Sequence, residues 1–276
     1  MNIVIYATCH GIGIKHYLKY FINTNIELIF NYSSIAFNKE IDYNILKNAD
    51  IFIYQPIPAK FGKYSTDLTV ENNILNYISD KCIKITIPYV YAEWLWGLGK
   101  IQLRDGTGNF DKIDNETEEK IKFINKEVIL NYKKNNHTLE YILNQYDNGL
   151  IDFNYELKFN EGIDILKNKE KSTDIKISDF IINNYKKYEL FTMPNHPTKY
   201  IFKEMAKQIL KKIIQDFDEN RINKINDNFI LSPIRIPYSS YDLKNHNFNF
   251  DIIPEDESIK SIIKMIFNNL EYEKCY

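Results

Sequence analysis

Ile3, Val4, Ile5, Tyr6 and Ala7 follow one another without a break near the N-terminus, and Thr8, Cys9, His10, Gly11, Ile12 and Gly13 come next. A short apolar run with no alternation reads as a strand buried on both faces, which requires a sheet covered on both sides. The two glycines mark a tight turn before an apolar helix over Ile14–Phe21. Cys9 therefore stands at the carboxyl end of a first parallel strand, the edge at which open α/β sheets bind ligands. A thiol in that position also feels the positive end of a helix dipole, which favours the thiolate.

Two readings of Cys9 remain open from the string alone, a small buried hydrophobe or a nucleophile in a ligand-contacting turn. The spacing is not that of a metal site, and the glycine pattern is not that of a nucleotide-binding loop. His10, although adjacent, is not thereby the base for Cys9, because neighbouring side chains at a strand end point in different directions.

The strand and helix signals then repeat. Ile26–Tyr32 reads as a second strand, Asp42–Asn48 as a brief helix, and Ala49–Gln55 as a buried strand stopped by Pro56. A polar and aromatic loop over Lys60–Thr66 carries Tyr64 and Thr66, followed by a helix over Val70–Ser79. Cys82–Ile87 is the fourth strand, ended by Pro88 beside Tyr89 and Tyr91. Strands separated by short helical segments give an α/β fold with an open, mostly parallel, doubly wound sheet. Three strand ends carry unusual chemistry: Cys9 with His10, Gln55, and Pro88 with Tyr89. Trp94 and Trp96 read as covering the sheet rather than walling a pocket.

A helical insertion over about residues 105–185 interrupts an α/β domain spanning 1–214. It begins with a polar, glycine-bearing loop over Arg104–Asp114, whose Gly106 and Gly108 are too few for a phosphate cradle. Helices follow over Asn115–Tyr132, with Asn115 and Glu118 as a capping box, over Leu139–Tyr146, closed by Asn148 and Gly149, and after Ser178. We read this insertion as a lid or one wall of a cleft.

Glu189–Met193 returns as a strand and breaks at Pro194, Asn195, His196 and Pro197. Thr198 then reads as the N-cap of an amphipathic helix with Ile201, Phe202, Met205, Ile209 and Leu210 facing inward. A histidine fixed between two prolines on such a turn reads as functional, or as a ring capping the helix, whereas His16 and His246 read as surface residues. Residues 215–276 form a C-terminal extension packed on the core, with an edge strand over Phe229–Pro237 and an amphipathic helix within Glu255–Leu270. That extension equally suits a partner or dimer contact, and the oligomeric state is not readable.

Charge decides little: 35 Lys and Arg stand against 37 Asp and Glu, net −2, so no field of one sign invites nucleic acid, and no such partner is expected. Cys9, Cys82 and Cys275 have no paired spacing, so a reducing cytoplasm is expected. No apolar run approaches the roughly 18 to 20 residues of a transmembrane segment.

Four segments, in order, resemble the WcbI-type polysaccharide-biosynthesis acetyltransferase family: the Ala7–His10 turn, Ile51–Gln55, Ile87–Tyr91 and Leu190–Thr198. The matches run from residue 3 to about residue 212 and leave the last sixty or so residues outside. Thr8 and His10 stand where the family has asparagine and glutamine. The resemblance implies coenzyme A or acetyl-coenzyme A as co-substrate in a deep cleft, no metal, and transfer of an acyl group to a carbohydrate acceptor during capsule or related glycan synthesis. The expected catalytic residues are Cys9 and His196, with His10, Gly11, Gln55, Tyr64, Thr66, Tyr89 and Asn195 binding substrate or co-substrate. Either His196 is the general base while N–H groups after Cys9 hold the oxyanion, or Cys9 is itself acylated. Two further classes compete. One is an SGNH-like esterase with a cysteine nucleophile, against which Met193 stands where such enzymes place an aspartate. The other is a protein that binds coenzyme A or a glycan without turnover.

Overall fold

Every residue of β1 (Ile3–Ala7) is buried, and alternate ones face different cores in the computed structural model, which describes residues 1–99 and 125–269. Ile3, Ile5 and Ala7 join a core shared with Ile51, Ile53 and Ile85, while Val4 and Tyr6 join another with Phe52 and Cys82. A strand flanked by two cores has no solvent face, which explains its unbroken apolar run.

The first core lies beneath α1 (His10–Leu18), which starts immediately after the strand with Cys9 as its N-cap. β2 (Ile26–Phe30) pairs with β1 in parallel. It is shorter than its apolar signal because Asn31 and Tyr32 open α2 (Asn31–Ala36). α3 (Tyr43–Lys47) is capped by the Asp42 carboxylate, which accepts from the Asn44 N–H at 2.9 Å. β3 (Ile51–Tyr54) pairs with β1 on its other side, and β4 (Ile83–Thr86) pairs with β3. The parallel sheet therefore has the order β2-β1-β3-β4, the α/β architecture expected from the sequence. The order reverses at β1, and the carboxyl ends of β1 and β3 are the edge at which such sheets bind ligands. The expected helix over Val70–Ser79 condenses to a single 3-10 turn at Ile74–Tyr77, begun by the Asn73 side chain.

Beyond β4 the described chain is mostly helical: α4 (Lys126–Lys134), α5 (Leu139–Asp147), α6 (Tyr155–Glu170) and α7 (Ser178–Asn184). The Arg104–Asp114 loop, the Asn115 capping box, Leu270 and Cys275 lie outside the described residues. Glu189–Met193 shortens to β5 (Phe191–Met193), which pairs antiparallel with β6 (His196–Pro197) in a small separate ladder rather than extending the parallel sheet. α8 (Lys199–Ile213) buries the six residues Ile201, Phe202, Met205, Ala206, Ile209 and Leu210 against the first core. Thr198 stands at its N-cap position without capping it, and its hydroxyl instead donates to the Glu189 carbonyl at 2.7 Å.

After residue 214 the chain adds α9 (Asn220–Asn223), α10 (Ser240–His246) and α11 (Asp256–Asn269). Phe229–Pro237 forms no strand. The Ile236 N–H donates to the Thr192 carbonyl at 2.9 Å without building a ladder. The segment is shared between cores: Ile222, Ile236 and Tyr238 pack under α1 and α8, whereas Ile259, Ile262, Ile263 and Ile266 of α11 pack with α4 and α5.

The glycines after Cys9 serve contact rather than a turn, since both lie inside α1. A Cβ on Gly11 would meet Leu28 Cδ1 at 2.4 Å, and one on Gly13 would meet the Phe202 ring at 2.4 Å. α1 is thus pressed between the sheet and α8. Gly13→Ala is expected to destabilise the fold by about 1–3 kcal/mol, because the ring it meets is fully enclosed and must shift. Urea unfolding checks this, and Lys19→Ala, on the exposed end of the same helix, should stay within about 0.5 kcal/mol of the parent.

Candidate active site

The carboxyl ends of β1, β3 and β4 and the turn between β5 and β6 meet around one side chain, His10. Its ring is wholly buried and stacks on Tyr89, centroids 4.9 Å apart with 10° between planes. Phe202 meets it edge-on at 6.2 Å. The Gln55 side chain lies between two partners: Oε1 accepts from the Thr8 N–H at 2.7 Å, and Nε2 faces His10 Nδ1 at 3.3 Å. An amide whose oxygen is already committed donates through its nitrogen, so Nδ1 is the acceptor and Nε2 carries the ring proton. That proton points at the Asn195 carbonyl, 3.1 Å away. Gln55, His10 and Asn195 thereby tie the Cys9 turn to the His196 turn.

The Asn195 side chain lies beside the Tyr89 hydroxyl, where it favours the ionised phenol. Its Oδ1 is buried with no hydrogen-bond partner among the described residues. A buried acceptor left open at a sheet edge is what a ligand donor satisfies. Burial pushes the Tyr89 phenol up to about 12, so its hydroxyl keeps its proton near neutrality.

Cys9 is half-buried. Burial pushes its thiol up, outweighing the Thr8 hydroxyl and the Cys9 and His10 N–H groups that favour the anion. The thiolate expected from the helix dipole is therefore not the resting form. The N–H groups of Gly11 and Ile12 are already donated to the Thr8 and Cys9 carbonyls at 2.9 and 3.0 Å. Of the two N–H groups beside the thiol, Cys9 and His10, that of His10 also reaches Thr8 Oγ1 at 3.4 Å.

Burial lowers His196 to about 4 and His10 to about 4, and the charge of His196 adds to the effect on His10. Both rings are neutral at pH 7 and able to accept a proton. An imidazole with a folded value near 4 and an unfolded value near 6.5 takes up protons on unfolding. Its contribution to stability is full above pH 6.5 and is lost as pH falls toward 4. The parent is thus expected to lose about 2 kcal/mol more than His10→Gln between pH 7 and pH 4.5, through His10 alone. Urea midpoints measured across that range check the sign.

Structure and sequence part over several other positions. Tyr64 lies outside this cluster, its hydroxyl donating to Asn38 Oδ1 at 2.7 Å in the core on the far face of the sheet. Thr66 spends its hydroxyl closing a loop, accepting from the Ile57 N–H at 2.8 Å. Gly11 is sealed beneath Leu28. His246, expected on the surface, is buried among Tyr155, Trp94 and Phe248, while His16 pairs with Asp227 at 2.7 Å. Trp94 and Trp96 are both buried in the first core, as covering residues should be. Met193 is buried in that core too, so it brings no carboxylate to His196.

One residue at the edge was missed by sequence reasoning. Lys169 of α6 holds its ammonium 4.4 Å from the Tyr91 ring centroid and 5.8 Å from that of Tyr89. A cavity of about 760 Å³ lies elsewhere, between Tyr146, Phe153, Tyr241 and Lys260, and shares no lining residue with the His10 cluster. The acids lining that cavity are engaged: Asp147 and Glu257 with Lys260, Asp256 with Tyr146 and Ser240, and Asp152 with the Asn154 N–H. Among the described residues no group of His, Cys, Asp and Glu could hold a metal ion, and no helix is long and apolar enough to cross a membrane.

The chain resembles the WcbI family, and two comparisons carry that likeness. Residues 140–214 match the family described as polysaccharide biosynthesis enzyme WcbI. That stretch contains Lys169, Asn195 and His196 and stops short of Cys9 and Gln55. Among solved structures the fold is similar to WcbI, called a novel polysaccharide biosynthesis enzyme, as the native protein without a disulfide bond between coenzyme A and a cysteine. The two share 16% identity and a TM-score of 0.62 over 98% of this chain and 90% of that one. The likeness in fold therefore runs beyond residue 214, into the segment the sequence motifs left out. No curated protein matches the sequence.

Proposed function

We propose that the chain moves an acetyl or related acyl group from coenzyme A to a sugar hydroxyl in polysaccharide biosynthesis. One observation carries the reading: a protonated thiol, a neutral imidazole and an open amide oxygen converge at one sheet edge. Similarity to WcbI supports a carbohydrate pathway, and the coenzyme A named with that relative supports the donor. Asn195 Oδ1 offers the acceptor that an amide N–H of the pantetheine arm or a sugar hydroxyl would need, so the residues fit such a ligand. Acetyl-coenzyme A, when bound, supplies the acyl group as a thioester.

His196 takes the proton of the attacking hydroxyl and passes it to the departing sulfur, as a general base and then acid. The Cys9 N–H, joined by that of His10 once it leaves its long contact with Thr8 Oγ1, holds charge developing on the acyl oxygen. Gln55 and His10 keep the two turns in register, with the His10 ring proton engaged by the Asn195 carbonyl. The raised thiol favours this direct transfer over acylation of Cys9, which needs the thiolate. Cys9 then shapes the thioester end of the site.

Calorimetric titration of the full chain with coenzyme A and acetyl-coenzyme A, repeated on Cys9→Ala, tests the reading. Saturable binding to the parent, weakened in the variant, is the expected result. Folded protein that binds neither compound yet hydrolyses a simple aryl ester would replace this reading with the esterase one. Binding without acyl transfer to any of a panel of sugars would leave a coenzyme A-binding protein.

A further inference from the structure

Lys169 stands in an unusual setting for a lysine. The last turn of α6 is fixed, because the Glu170 carboxylate is buried and accepts from the Ser178 N–H at 2.8 Å and from the Ile177 N–H. From that rigid base the ammonium lies over Tyr91 and Tyr89, and Tyr89 is the ring stacked on His10. One aromatic ring therefore separates a cation from the centre of the candidate site. Burial lowers the Lys169 pKa, and Glu93 partly offsets that effect. Two tyrosine faces stabilise an ammonium at this position, and a half-buried cation beside a ligand edge strongly favours a ligand that carries negative charge.

We propose that Lys169 receives a phosphate group of the bound ligand, with Tyr89 and Tyr91 holding it at a fixed distance from the reacting end. The assignment rests on the reading of this edge as the acyl-transfer site, and it adds that at least one substrate binds through a phosphate. Two sources share this chemistry, the phosphates of coenzyme A and that of a phosphorylated sugar acceptor.

The test is calorimetric titration of the full chain and of Lys169→Gln and Lys169→Arg, at low and moderate salt. The probes are coenzyme A, pantetheine, glucose 1-phosphate and glucose. If the phosphate belongs to the donor, Lys169→Gln weakens coenzyme A binding at least tenfold, leaves pantetheine unchanged and flattens the salt dependence, while Lys169→Arg retains most of the affinity. If it belongs to the acceptor, the same pattern appears for glucose 1-phosphate against glucose. Equal affinity of parent and Lys169→Gln for both phosphate probes overturns the assignment, as does a parent that binds neither. A parent that binds glucose 1-phosphate through Lys169 but neither coenzyme A nor pantetheine sustains the phosphate site and overturns the donor reading. A variant that loses pantetheine and coenzyme A equally shows Lys169 to be structural, which also overturns the assignment.

Discussion

His196→Ala is expected to lower acyl transfer by about 10²–10⁴-fold, the range for losing a positioned general base. Its thermal unfolding should stay close to that of the parent, because the half-exposed ring is neutral and its loss strands no buried charge. Cys9→Ala is expected to reduce turnover comparably while the protein remains folded. Cys9→Ser separates the two routes: near-parental rates fit a thiol that shapes the site, whereas a loss as deep as that of Cys9→Ala fits an acylated cysteine. The measurement is release of free thiol from acetyl-coenzyme A in the presence of an acceptor sugar, alongside circular dichroism of each variant. Parental rates in both His196→Ala and Cys9→Ala would remove the proposed site. A neutral imidazole with a pKa near 4 also places the acid limb of the rate profile near pH 4, with a flat region through pH 7.

The second large effect concerns stability. Asp242 is buried and accepts from the Gly97 N–H at 2.6 Å, the Tyr155 hydroxyl at 2.5 Å, and the Ser239 N–H and hydroxyl at 2.7 Å each. Nearby, the Lys158 ammonium donates to the Trp96 and Gly97 carbonyls, and burial lowers it to about 8. One carboxylate thus joins the chain after β4, the start of α6 and the start of α10. Asp242→Leu leaves buried donors without an acceptor and Lys158 with only Glu93 as counter-charge, so a loss of about 3–5 kcal/mol is expected. Asp242→Asn should lose less, since one side-chain oxygen remains to accept. Urea midpoints read both, and near-ultraviolet dichroism reports the environment of Trp96, whose indole donates to the Ile236 carbonyl at 3.2 Å. A change below about 1 kcal/mol in Asp242→Leu would show that water replaces the carboxylate.

What could be read before the structure follows from the range of the forces involved. β1 and β3 announce themselves because their apolar runs reflect burial by a sheet, β4 because of its β-branched residues although only Ile85 is buried, and α8 because its stripe has helical period. The strand ends follow from these, so Cys9, Gln55, Tyr89 and Asn195 were legible as neighbours. Gly11 and Gly13 were misread as a turn because glycine signals a tight approach and a bend with the same letter. Only the Leu28 and Phe202 contacts distinguish them. The Phe229–Pro237 run has strand composition, yet a single bond from Ile236 to Thr192 leaves it without a ladder. Asp242 carried the local signal of a capping box with Ser239, but its bonds to Gly97 and Tyr155 come from residues distant in sequence. Lys169 and His246 carried no local signal and acquire their settings from distant residues, as when Trp94 packs on His246.

The bond from His10 to the Asn195 carbonyl spans 185 positions of chain. Contacts of such separation form late, after the entropy of closing a long loop has been met. During synthesis the N-terminal strands are able to pair while the His196 turn is still being made, so the Cys9 turn forms before the one that His10 ties it to. The bridge between the two turns is in this way delayed until α8 has docked on α1, and a chain arrested short of Asn195 holds the Cys9 turn without the turn it is tied to.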